Sequence, residues 1–220
     1  MVLFNGRPLD LTEVAGDSPA ILEAWFPGVE AGDAVADVVF GKVNPGGKLP
    51  VSFPPKVGQV PIYYNHEPTG QPCAVTQKYV SRYRDLKTCD PFYAFGYGLS
   101  YTKFSISNLS LDSHRMRANG GGITATVDVT NTGSRRGDEV VQLYIHHPVA
   151  SISQPVRRLR DFKRINLDPG ETKEVQFTID RSDVGFYDNS GPFVVESGKI
   201  ELYVGNSSKG GRKTTFMVTR

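Results

Sequence analysis

Cysteine is scarce: Cys73 and Cys89 are the whole complement in 220 residues. Two cysteines cannot supply the four or so ligands of a zinc site. In a loop region they are either free thiols or, in an exported protein, a disulfide. Long apolar runs are missing as well. No stretch reaches the roughly 20 residues that a membrane-crossing helix needs, so no membrane partner is expected. The opening MVLFNGRPLD has no cationic start and only a brief apolar stretch, which is not the pattern of a signal peptide. Charge of one sign is not in excess: 25 Lys and Arg stand against 23 Asp and Glu, a net +2. The densest basic cluster, Arg157, Arg158 and Arg160, alternates with apolar residues like the solvent face of a strand, and no nucleic-acid partner is expected. Nucleotide loops are absent too. Gly28–Gly32 has neither GxGxxG nor Gly-Lys-Ser/Thr, and no cofactor is expected.

What is abundant is turn chemistry. The 23 Gly and 15 Pro have no period, which excludes collagen and favours a turn-rich, β-containing fold. The texture changes near residue 103. Before it, Val2-Leu3-Phe4 reads as the end of a buried strand. Ile21 to Trp25 reads as a short helix after the capping-type Asp17-Ser18-Pro19. Glu30 to Phe40 reads as a second helix, with Val35, Val38 and Val39 on one face and Gly41 as its C-cap. Leu49 to Phe53 is extended after the turn Asn44-Pro45-Gly46-Gly47. This is an α/β texture with too few elements for a complete α/β domain. Residues 54–102 are rich in Tyr, Pro and Gly and lack periodicity; a structureless run of that length is uncommon in a compact domain.

From Phe104 onward, period-two segments recur at regular spacing: 104–109, 123–129, 139–145, 158–162, 174–179, 193–195, 199–204 and 215–218. Seven or eight short strands in this length describe a two-sheet sandwich. Trp25 lies outside it, so the Cys…Trp…Cys pattern of an antibody domain is absent, and the fibronectin type III-like variety fits better. The expected organisation is therefore 1–60, the C-terminal part of an α/β sandwich domain; 61–102, an irregular connecting segment; and 103–220, a fibronectin type III-like β-sandwich.

Candidate chemistry is sparse. Glu30, Asp33 and Asp37 are carboxylates on one helix, but acidic residues near a helix N-terminus and opposite a Val stripe are what the dipole and amphipathicity require. His146 and His147 are adjacent and face opposite sides of a strand, so they cannot chelate one metal, and no metal site is expected. His66 follows Tyr63-Tyr64-Asn65, a grouping of aromatic faces and polar tips that suits sugars.

Longer motifs carry a resemblance. Ala24 to Gly32, followed by Phe40 to Pro54, is similar to the end of the α/β sandwich domain of family-three glycoside hydrolases. Tyr79-Val80-Ser81-Arg82-Tyr83-Arg84-Asp85 and Phe95 to Thr102 are similar to the junction that precedes that family's fibronectin-like domain. Val127 to Gly133, Gly137, Val140 to Tyr144 and Leu167 to Thr172 resemble that domain itself. Ala94 and Lys103 depart from the usual Pro and Thr.

The resemblance implies the C-terminal portion of a retaining β-glucosidase of the bacterial periplasmic type. That chemistry uses one carboxylate as nucleophile and a second as acid and base. In the family, the first lies on an N-terminal barrel and the second upstream of the segment matched by Val2 to Pro8. No residue here matches either, so the isolated chain is expected to be inactive. Its expected partners are the barrel and the remaining α/β portion, or a second copy. Met1 fits a natural start and a truncation boundary equally. The alternative is a non-catalytic carbohydrate-binding or structural sandwich. Sugar contact is expected from Tyr64, His66, Arg82 and Tyr83 in the connecting segment. The resemblance also implies a periplasmic or secreted location.

Overall fold

The computed structural model describes residues 1–74 and 76–220. The first part is a β–α–β unit. Strand β1 (Val2–Phe4) pairs in parallel with β2 (Ile21–Glu23), and helix α1 (Thr12–Asp17) lies in the crossover. The segment 5–20 satisfies the dozen or more residues that a parallel connection requires. The helix expected over Ile21 to Trp25 is therefore a strand. Ser18 is the C-cap of α1 rather than the cap of a following helix, and Trp25 has φ 54°, outside the helical region. The physical reason is pairing: Val2–Phe4 offers an unpaired ladder, and Ile21-Leu22 satisfies it better than one turn of helix would. Helix α2 (Ala31–Val39) forms as expected, and Gly41 follows its C-cap with φ 75°. Asp10, just ahead of α1, accepts from the Thr12 N–H and hydroxyl and from Lys56 Nζ. The Thr12 hydroxyl, then Lys56, hold the Asp10 carboxyl down to about 2.

The β-sandwich begins at β3 (Phe104–Leu111). It continues with β4 (Arg115–Arg117), β5 (Ile123–Asn131), β6 (Gly137–His146), β7 (Arg158–Leu167) and β8 (Thr172–Ile179). Helix α3 (Arg181–Val184), the short hairpin β9 (Phe186–Tyr187) and β10 (Phe193–Val194), then β11 (Gly198–Gly205) and β12 (Arg212–Thr219) complete it. One sheet has the order β4-β12-β11-β6-β7; the other is β3-β5-β8. Their inner faces meet through the alternating residues of β5 (Ile123, Ala125, Val127, Val129) and β6 (Val141, Leu143, Ile145), with Phe177, Leu202 and Phe216. This is the period-two pattern converted into a core between two sheets. The expected strand at 193–195 belongs instead to the separate β9–β10 hairpin, and β4 fills the edge of the larger sheet.

The basic cluster is not a solvent face. The Arg158 guanidinium donates to the carbonyls of Asp183 and Gly185, and Arg160 pairs with Asp183 at 3.3 Å. Arg157 lies 3.9 Å from the Tyr203 ring centroid and donates to the carbonyls of Ser208 and Gly210. All three are half-buried and engaged in closing loops onto the sheet.

Candidate functional site

The connecting segment is built onto the outer face of the five-stranded sheet. Strand β6 presents Val141, Leu143 and Ile145 to the core, so Gln142 and Tyr144 point the other way. Both are nonetheless buried, Tyr144 completely, because the segment covers them. The Tyr64 ring stacks on Phe95 with centroids 4.3 Å apart and meets Tyr144 edge-on. Burial, then the neighbouring Tyr64, push the Tyr144 phenol well above its ordinary range.

The motif Phe95–Thr102 is explained by this packing. Gly96 has φ 79°, and a Cβ there would run into the Gln142 amide. Its carbonyl accepts from Gln142 Nε2, which also donates to the Asn206 carbonyl. The extended Leu49–Phe53 run pairs with this stretch: Gly96 N–H donates to the Leu49 carbonyl, Leu49 N–H to Tyr97, and Phe53 N–H to Tyr93. Trp25, Phe53, Tyr93 and Tyr97 form a continuous ring row beside that ladder. Lys48 Nζ reaches the nearly buried Glu139 carboxylate at 2.7 Å and the Gly98 carbonyl at 2.8 Å. Thr102 donates to Asn131 Oδ1, while Asn131 Nδ2 donates to the carbonyls of Arg135 and Leu167. The end of this aperiodic segment is ordered because Phe95, Gly96 and Thr102 meet partners on the turn after β11, on β6 and on β5, while Tyr97, Gly98, Ser100 and Tyr101 meet Leu49, Lys48, Asn44 and Val38.

The four residues expected to contact sugar fall into two pairs. Tyr64 and His66 lie on a stretch tied to the start of β7. The Tyr64 hydroxyl accepts from Leu159 N–H at 3.3 Å, the His66 carbonyl accepts from Val156 N–H at 3.0 Å, and Glu67 accepts from Ser153. The His66 ring is exposed and its Nδ1 faces the Glu67 carbonyl, which requires a proton on Nδ1 and leaves Nε2 to solvent. Arg82 and Tyr83 lie on a separate loop closed by a Cys73–Cys89 disulfide, with Cα atoms 5.8 Å apart. Arg82 donates to the Leu86 carbonyl at 2.9 Å, and the Tyr83 ring is exposed. Among the described residues, no hydrogen bond or ring contact joins the two pairs. The pairing of the cysteines, which the sequence left open, is thus a disulfide.

Two further groups stand out in ways the sequence did not signal. Glu23, at the end of β2, has one carboxyl oxygen accepting from Trp25 N–H and the other buried without a partner among the described residues; burial raises its pKa. His147 is buried just past β6, edge-on to Phe186, with Nε2 unpartnered among the described residues. The carboxylates of α2 behave as surface charges: Glu30 and Asp33 are exposed, and Asp37 pairs with Lys42 at 3.0 Å. Among the described residues no group of three or more metal-ligating side chains converges, and no helix is long and apolar enough to cross a membrane.

A different face is bare. Phe26 (86% exposed), Val29 (100%) and Phe40 (86%) project from the turns flanking α2. Where large apolar side chains of such exposure cluster, they are the usual mark of an interaction surface.

Residues 1–101 match the Glycosyl hydrolase family 3 C-terminal domain, and residues 139–208 match the Fibronectin type III-like domain. The periplasmic β-glucosidase of Salmonella typhimurium is 46% identical over 218 residues, which are 98% of this chain and 28% of that protein. A β-xylosidase of Formosa agariphila is 45% identical over 219 residues, 100% of this chain and 29% of that protein. The crystal structure of the β-glucosidase from Listeria innocua in complex with gluconolactone superposes with a TM-score of 0.93 at 41% identity, covering 99% of this chain and 30% of that one. The chain thus spans under a third of the length of the relatives it matches.

Proposed function

Because the chain belongs to the C-terminal part of the family 3 glycosyl hydrolases, we propose that it completes a retaining β-glucosidase acting on terminal β-D-glucosyl residues, and that by itself it is inactive. The observation that carries this reading is the combination of a fully satisfied junction with an unsatisfied N-terminal face. Gln142–Gly96 and Asn131–Thr102 lock the connecting segment to the sandwich and Lys48–Glu139 ties the first part to it, while Phe26, Val29 and Phe40 remain open to a partner. The partner is the barrel and remaining α/β portion that carry the two carboxylates. In its absence the same apolar face favours self-association. The chain divides at 60 and 102 by role rather than by independent folding, since 49–53 pairs with 92–97.

In this reading the sugar contacts come from the connecting segment. His66 and Tyr83 present exposed polar and aromatic groups, Arg82 offers a guanidinium on the same loop as Tyr83, and Tyr64 supports the His66 stretch from beneath. A periplasmic or secreted location accords with the disulfide and with the periplasmic relative.

The test is a chimera in which this chain replaces the matching part of the Salmonella enzyme. Hydrolysis of an aryl β-glucoside in preference to the β-xyloside supports the proposal. A folded chimera with no activity refutes it. Within an active chimera, Arg82→Ala, Tyr83→Ala and His66→Ala each raise KM; unchanged KM in all three removes the segment from the substrate site.

A further inference from the structure

The loop that bears Arg82 and Tyr83 is unusual in how little holds it. Ser81 N–H donates to the Gln71 carbonyl; the remaining backbone bonds of the loop, Gln77 to Ala74, Arg82 to Val80 and Leu86 to Tyr83, are internal. The Arg82 side chain is engaged with Leu86, and Lys78 lies over the Tyr79 ring, again within the loop. Among the described residues of 74–88, no hydrogen bond, ion pair or ring contact reaches β1–β12 or the Tyr64–Glu67 stretch. Tyr79 and Tyr83 are 69% and 57% exposed, and Val80, Arg82 and Leu86 are only half-buried, so burial holds the loop weakly. The base of the loop, by contrast, is anchored: Phe92 N–H donates to the Phe53 carbonyl, and Lys209 pairs with Asp90 at 2.5 Å. Between that anchored base and the free tip stands the Cys73–Cys89 bond, spanning a sequence separation of 16.

We infer that this disulfide is a redox clasp: oxidised, it holds the loop in the shape that presents Arg82 and Tyr83, and reduced, it releases them. The inference rests on the reading of those two residues as sugar contacts. The chemistry balances with a dithiol as reductant. A thiolate of the dithiol attacks one cysteine sulfur and the Cys73–Cys89 bond breaks. The mixed disulfide is then resolved by the second dithiol sulfur, leaving two protein thiols and one oxidised, cyclic dithiol. Two electrons and two protons pass to the protein. Closing a loop of this length restricts it by a factor on the order of a hundred in its accessible population, and few other contacts oppose the release.

Limited trypsin digestion of this chain reads the clasp directly, because Lys78, Arg82, Arg84 and Lys87 lie inside the loop. In the Cys73→Ser/Cys89→Ser variant, or in wild type after dithiol treatment, cleavage at these sites rises about tenfold or more, while cleavage in the sandwich, such as after Lys213, stays unchanged. Equal loop cleavage in oxidised and reduced protein overturns the clasp. So does a uniform rise at all sites, which would mean general unfolding. In the active chimera the same variant raises KM with kcat nearly constant. A loop that loosens without any change in KM leaves the clasp standing as a structural device, but overturns its control of the site and the assignment of Arg82 and Tyr83 as sugar contacts.

Discussion

Acidification acts on this molecule through His147. The imidazole is buried against Phe186, and its Nε2 has no partner among the described residues. Burial, then the adjacent Arg158 guanidinium, depress its pKa from the ordinary 6.5 to about 4; His146 and Arg160 act in the same sense, and Glu196 opposes them. Between those two values the unfolded chain binds a proton that the folded chain refuses. Stability is therefore complete above 6.5, declines as pH falls through the window, and is fully lost to this group only below about 4. The gap corresponds to about 3 kcal/mol in total, of which about 2 kcal/mol is lost by about pH 4.5. Denaturant unfolding of wild type and His147→Gln at a series of pH values between about 7 and 4.5 measures it. The glutamine stays neutral throughout, so the variant's curve is flatter by about 2 kcal/mol over that range, even if the substitution lowers stability everywhere. Parallel curves for the two proteins would refute the account of His147 as a buried neutral group.

The remaining expectations concern the junction, the open face and catalysis. Lys48→Met leaves the nearly buried Glu139 carboxyl without its cation and costs about 3–5 kcal/mol in denaturant unfolding; Lys48→Met/Glu139→Gln recovers part of the loss. An equally unstable double variant would show that the pair is not the source. Gly96→Ala forces a Cβ into the Gln142 amide at a positive φ and lowers stability by more than the roughly 1 kcal/mol typical of a glycine site with free space. A neutral result would break the account of the Phe95–Thr102 motif. Phe26→Ser/Phe40→Ser reduces self-association of the isolated chain in sedimentation velocity, whereas an unchanged distribution moves the contact elsewhere. The purified chain does not turn over aryl β-glucosides, and turnover that is lost on changing Glu30 or Asp33 would sink that expectation.

Period-two alternation alone determined the sandwich, because inner-face residues such as Ile123, Ala125, Val127 and Val129 must leave water together on one side of a strand. The amphipathic run that became α2 was legible for the same reason at period 3.6. The family was legible too, because its motifs stay contiguous in the chain. Short elements were not: Ile21–Glu23 has too few residues to display a period, and its state was decided by the open ladder of Val2–Phe4 beside it. The role of the aperiodic segment was equally hidden, because a glycine such as Gly96 reveals its reason only when Gln142, far along the chain, is packed against it. The cysteine spacing allowed thiols or a disulfide, and it took the fold to bring the two ends of the loop together. Likewise, Arg157, Arg158 and Arg160 alternate as a solvent face would; only tertiary contacts with Tyr203, Gly185 and Asp183 turn them inward, since a guanidinium's partners are set by distance in space and not by period.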